Sequence, residues 1–161
     1  MKRAKLEPAK LGWSLMNRRT FALAASALVL GACMTSPATA DDAVLQQAAN
    51  HFVSISQHPE AVDAAEATRE MDRITAQADD DPLVLRYAVL ARLSLIDNME
   101  DAVVRLRLAN EGLAILDRAI ALPGADGPPR QAVMAGQTVD VDLSDADGIR
   151  AMLQAVIAAS R

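Results

Sequence analysis

The sequence has one cysteine and very few aromatics: two phenylalanines, one tyrosine and one tryptophan in 161 residues. A lone cysteine, Cys33, excludes any intramolecular disulfide, so the chain is not a disulfide-stapled scaffold. Beyond residue 40 the aromatics shrink to Phe52 and Tyr87, which leaves little to stack on bases or sugar rings. That stretch also has no lysine. Residues 1–40 hold six of the 16 bases and one of the 21 acids, leaving ten arginines against twenty carboxylates in the rest. A balance of about −10 repels nucleic-acid phosphates, and nucleic acid is not an expected partner. There is no G-x-S-x-G, no glycine-rich phosphate loop and no cysteine after Cys33 to act as a nucleophile. No apolar run reaches the roughly 20 residues that span a bilayer.

What is present begins with an ordered change of character. Lys2, Arg3, Lys5, Lys10, Arg18 and Arg19 precede an apolar run from Thr20 to Ala32, and an acidic body follows. Basic, then apolar, then acidic is the charge order of a secretory leader. Residues 1–40 are therefore expected to be a signal peptide, with Met16 as a second possible start. Asn17-Arg18-Arg19-Thr20-Phe21 resembles the twin-arginine export motif through Arg18, Arg19 and Phe21. It departs from that motif at Asn17, where a hydroxyl residue is usual, and at Ala22, where leucine is common. Leu30-Gly31-Ala32-Cys33 resembles a lipobox, which implies diacylation of Cys33. Ala38-Thr39-Ala40 before Asp41 is an alternative A-x-A cleavage site. The expected compartment is the periplasm, with the mature chain either anchored through lipid on Cys33 or soluble.

Residues 41–161 are enough for one small domain. Their alanine, leucine, arginine, glutamate and glutamine predict helices. Asp41 and Asp42 can cap a helix to about residue 56, and Pro59 suits the start of a second, 59–78, whose thin buried face is Val62, Met71 and Ile74. The third, 83–96, is apolar nearly all round and should form the centre of the domain. A fourth spans 99–122, with Leu106, Leu113 and Ile120 spaced by seven beside Ala109 and Leu116. Residues 123–130 read as a loop and 138–142 as a short strand. Ser144 should cap the last helix, with Ile149, Met152, Leu153, Val156 and Ile157 inward. The fold class is then all-α: two stacked helical hairpins, one short strand and a C-terminal helix. A shift of 41 residues superimposes the breaks and pairs Ile55 with Ile96, Val62 with Val103, Ile74 with Ile115 and Ala78 with Ala119. The second unit, ending DRAIALPG, resembles the closing helix of a tetratricopeptide repeat, although the period exceeds 34 residues and Gly112 interrupts it.

Chemistry is sparse. His51 and His58 are seven apart, but Pro59 should place His58 outside the helix, so no metal or other cofactor is expected. Asp140, Asp142, Asp145, Asp147 and Gly148 resemble part of an EF-hand, yet Leu143 and Gln154 fill the positions that open and close such a loop. Glu66 should meet Arg69 or Arg73 on the helix surface. The expected function is a non-catalytic envelope protein, a helical interaction or assembly module whose partner is another envelope protein. The alternative is a small periplasmic enzyme or a ligand- or metal-binding protein using the acidic 140–147 region.

Overall fold

Among the described residues, three helix starts are set by aspartate. In the computed structural model, which describes residues 40–160, α1 (Ala40–Gln57) and a 3-10 turn (Pro59–Ala61) lead into α2 (Ala64–Thr75), α3 (Pro82–Ile96) and α4 (Ala102–Ala121). Asp63 accepts a hydrogen bond from Glu66 N at 2.8 Å, Asp81 from Leu83 N at 2.8 Å and Asp101 from Val103 N at 2.8 Å. Each carboxylate satisfies amides that the first helical turn leaves unpaired, and each lies at the positive end of the helix dipole. Asp63 thereby corrects the expected helix 59–78. Val62 is extended ahead of the cap, so Pro59 starts only a 3-10 turn. Asp41 and Asp42 lie within the first turn of α1 instead of capping it from outside.

After α4 the chain forms β1 (Arg130–Met134), β2 (Gln137–Val141) and α5 (Ala146–Ala159). The protein is therefore mostly helical with one small antiparallel sheet. The expected strand has a partner, since Arg130 at the end of the expected loop opens β1. Ala135 and Gly136 join the strands with φ of 51° and 81°, the signature of a two-residue type I′ turn. Alanine is poorly suited to that conformation. Ala135→Asn should raise the unfolding free energy by about 0.5–1 kcal/mol, because asparagine tolerates left-handed backbone where alanine is strained. A denaturation midpoint that does not rise would show that the turn relaxes in solution.

The core is organised around α3, in which every residue except Arg86 and Leu90 is buried. It packs against α1, α2 and α4, and α5 packs on α4. Met71 and Ile74 supply the thin buried face of α2 with Ala67, and Val62 is half-buried against the core. On α4 the buried stripe is Leu108, Ala109, Gly112, Leu116 and Ala119. The seven-residue series runs along the margin of that stripe: Leu106 and Leu113 are half-buried, and Ile120 is 38% exposed. Small residues explain the rotation, since Ala109, Gly112 and Ala119 let neighbouring helices approach where leucines would hold them apart. The 41-residue shift is matched unevenly. Ile55 and Ile96 are both in the core, as are Ala78 and Ala119, whereas Val62 is half-buried and Val103 is 77% exposed. Among the described residues no helix is long and apolar enough to cross a membrane.

Tyr87 lies at the centre, with its ring centroid 5.8 Å from that of Phe52 and its hydroxyl 3.5 Å from the Met134 sulfur. Burial pushes its pKa up, only partly opposed by the nearby Arg86 cation. A raised phenol pKa means that the folded state keeps the proton after the unfolded chain has begun to lose it. Stability is thus intact below the unfolded pKa of about 10 and falls as pH rises through that value towards the folded one. Tyr87 is the only tyrosine, so phenolate absorbance reports it directly. Ionisation should be delayed beyond pH 10 and coincide with alkaline unfolding; a free titration near 10 would contradict its burial.

Candidate functional site

Among the described residues, clefts form where these elements meet, and two of them are lined by charged groups. The larger, about 610 Å3, is an open groove between α1 and α2, with Ile55, Val62 and Ala67 among its lining residues and His51, Glu66, Arg69, Glu70 and Arg73 along it. It exists because the cap at Asp63 turns the chain after Val62 and lays α2 beside α1. The His51 ring places Nε2 3.0 Å from the Ala67 carbonyl oxygen, which can only accept, so Nε2 carries the proton and ties the two helices together. His58 is exposed beyond the end of α1 and makes no side-chain cap bond. The two histidines therefore do different jobs.

The ion pairs of the groove differ from the expected ones. Glu70, not Glu66, engages Arg73, through two bonds of 2.9 and 2.6 Å. Arg73 stands one turn from Glu70 and two turns from Glu66, and only the nearer carboxylate is a neighbour on the helix surface. The Arg73 hydrogen bond holds the Glu70 carboxyl below its ordinary range. Arg69 is exposed, and among the described residues it makes no ion pair.

The second cleft, about 360 Å3, is lined by Asp41, Asp80, Asp81, Asp142, Arg130 and the turn from Pro123 to Pro128. Its centre is Arg130. Nη2 donates to Asp42 at 2.8 Å and Nη1 makes a shorter bond to Asp81, so one guanidinium joins the starts of α1, α3 and β1. These hydrogen bonds and charges raise the Arg130 pKa despite partial burial. The acids beyond β2 serve separate structural ends. Asp142 accepts from Ser144 N at 3.0 Å and Ser144 Oγ at 2.6 Å, which holds its carboxyl below the ordinary range. Ser144 is thereby turned away from α5, correcting its expected role as a cap. Asp145 binds Arg86 through two bonds of 3.2 and 2.6 Å. Among the described residues, no group of three or more histidine, cysteine or acidic side chains is arranged to hold a metal ion.

No family model, curated protein or solved structure matches this chain.

The residues of the export reading, Arg18, Arg19, Phe21, Cys33 and Ala38, lie outside the described residues, and Ala40 is the first residue of α1. Three features were missed from sequence. Arg92 is 4% exposed within α3, yet it bonds Ala88 O, Asp72 of α2 and Glu111 of α4. The available signal was that α3 carries only two cations, Arg86 and Arg92, in an otherwise apolar helix, because such a group is buried only when paired. Arg130 carried no comparable signal, since its partners are 49 and 88 residues away. Nor did Gln46, whose amide donates to Val133 O at 2.7 Å and accepts from Val133 N at 2.7 Å.

Proposed function

We propose that this chain is a non-catalytic module of the bacterial envelope, exported by residues 1–40 and acting through contact with another envelope protein. The α1–α2 groove is the observation that carries the reading. It combines apolar Ile55 and Val62 with charged residues and an exposed Arg69 that makes no ion pair among the described residues, a surface suited to a partner segment with an acidic group. In this reading α1 with α2 and α3 with α4 are two stacked helical hairpins closed by α5. That is a tetratricopeptide-like arrangement, in which helical pairs present grooves to partners. Cys33 anchors the mature chain when diacylated, and cleavage after Ala40 frees it into the periplasm.

Two measurements test this. Intact mass of the protein matured in a bacterial host should show either diacylglycerol on Cys33 or a start at Asp41; a chain retaining residues 1–40 would sink the export reading. Recovery of a defined partner from envelope extracts should be lost with Val62→Asp, which places a charge within the groove. Equal recovery by that variant would remove the groove from consideration.

A further inference from the structure

We propose that the outer edge of β2 is a docking site for an extended partner segment alternating basic and apolar residues. The proposal goes beyond the helical groove and does not depend on how the chain is exported.

The hairpin register determines which backbone groups are available. Met134 and Gln137 flank the two-residue turn and form its hydrogen-bonded pair, so Ala132 with Val139 and Arg130 with Val141 also exchange bonds inside the ladder. The intervening residues point their N–H and C=O groups outward: Gln131 and Val133 from β1, Thr138 and Asp140 from β2. The two Gln46 bonds to Val133 fit this assignment independently. They also close that point of the β1 edge, where a side-chain amide takes the place of a neighbouring strand. Among the described residues nothing equivalent closes β2. Thr138 and Asp140 are exposed, and among the described residues no hydrogen bond reaches their backbone N–H or C=O groups. Among the described residues no helix packs extensively on β2, which touches the core through Val139 and Val141. An unpaired strand edge of this kind is a template for another strand.

Charge selects the occupant. Asp140 lies on the outer face, contacts Gln131 at 3.5 Å and makes no ion pair among the described residues. Asp142 and Asp147 follow it, and neither makes an ion pair with an arginine among the described residues. A second copy would bring the same carboxylates to the edge, and two domains of about −10 repel one another. A basic strand supplies what is missing. Its side chain opposite Asp140 would be arginine or lysine, while its alternate residues would extend the apolar inner face of Val139 and Val141.

The probe is a peptide of about eight residues alternating arginine and valine, titrated into the purified full-length protein while amide exchange is followed residue by residue. Binding should slow exchange at Thr138 and Asp140 and be lost when glutamate replaces arginine in the peptide. Thr138→Pro removes an outward N–H that the hairpin does not use, and proline is tolerated on an edge strand. It should weaken binding about tenfold while the inward amides of Val139 and Val141 stay protected. Asp140→Asn leaves the backbone intact and should weaken binding about threefold, which keeps the test decisive if the proline variant misfolds. Absence of binding, binding without protection of Thr138 and Asp140, or unaltered affinity in Asp140→Asn would each overturn the proposal. Sedimentation showing that the protein pairs with itself through β2 would overturn the choice of occupant.

Discussion

Asp81→Ala should lower the unfolding free energy by about 3 kcal/mol and the thermal midpoint by roughly 10 °C. Two losses add in one residue. Oδ1 caps α3 through Leu83 N at 2.8 Å and Val84 N at 3.3 Å, and losing such a cap costs about 1 kcal/mol. Oδ2 accepts from Arg130, and Asp81 is only 8% exposed. Removing it leaves a partly buried guanidinium held by Asp42 alone. Breaking a fully buried pair costs 3–5 kcal/mol, but Arg130 is 31% exposed, so about 2 kcal/mol is the appropriate share. Asp81→Asn separates the terms, since its amide oxygen can still cap the helix while its NH2 faces the guanidinium. It should cost about 2 kcal/mol, and a double-mutant cycle with Arg130→Met should return coupling of at least 1 kcal/mol. Additive single effects would mean that the Arg130 contact does not persist in solution. The result also bears on the clefts, because Asp81 and Arg130 hold together the wall facing the turn from Pro123 to Pro128.

The contrast between Asp81 and Arg130 explains how much could be read from the chain. Helix existence was legible because it depends on local composition and on breaks such as Asp79-Asp80-Asp81-Pro82, and the predominance of α3 in the core followed from its apolar surface. Helix boundaries were less legible, since Asp63 acts as a cap only once its carboxylate reaches Glu66 N, and Pro59 was an equally reasonable start. β1 escaped notice because Arg130-Gln131-Ala132-Val133-Met134 alternates weakly and its turn uses alanine where asparagine or glycine is expected. The candidate site was the least legible part. The groove depends on how α1 packs on α2, and the Arg130 node joins residues 49 and 88 apart in sequence; local pattern carries no information about either. The acidic 140–147 region was visible at once, but its carboxylates are directed to Ser144, Arg86 and Gln131 by a fold that composition does not specify.

Gly112→Leu should lower the unfolding free energy by about 3 kcal/mol, by an opposite physical route. In sequence Gly112 reads as an interruption of the second helical unit; in the fold it is the notch into which α5 docks. A β-carbon there would lie 3.1 Å from Leu153 Cδ2, 3.6 Å from Leu153 Cδ1 and 4.0 Å from the Arg92 side chain. Leu153 is fully buried, so its methyl groups have little room to swing away. For Gly112→Ala the gain in helix propensity, about 1 kcal/mol, is comparable with the cost of shifting Leu153 by a few tenths of an ångström, and the net change should be small. Leucine adds three more carbons at the same point. Overpacking of that size costs about 1–3 kcal/mol, and displacement of α5 also re-exposes part of Leu153, whose burial is worth about 2 kcal/mol. Subtracting the propensity gain leaves about 3 kcal/mol. Volume compensation provides the check. Leu153→Ala alone should cost about 3 kcal/mol by leaving a cavity, yet in the Gly112→Leu background it should cost far less, because the new leucine occupies the space. Chemical denaturation of the four proteins measures this directly. If the double variant is as unstable as the sum of the two single ones, α5 does not dock on Gly112, and the close approach of α4 and α5 must be abandoned.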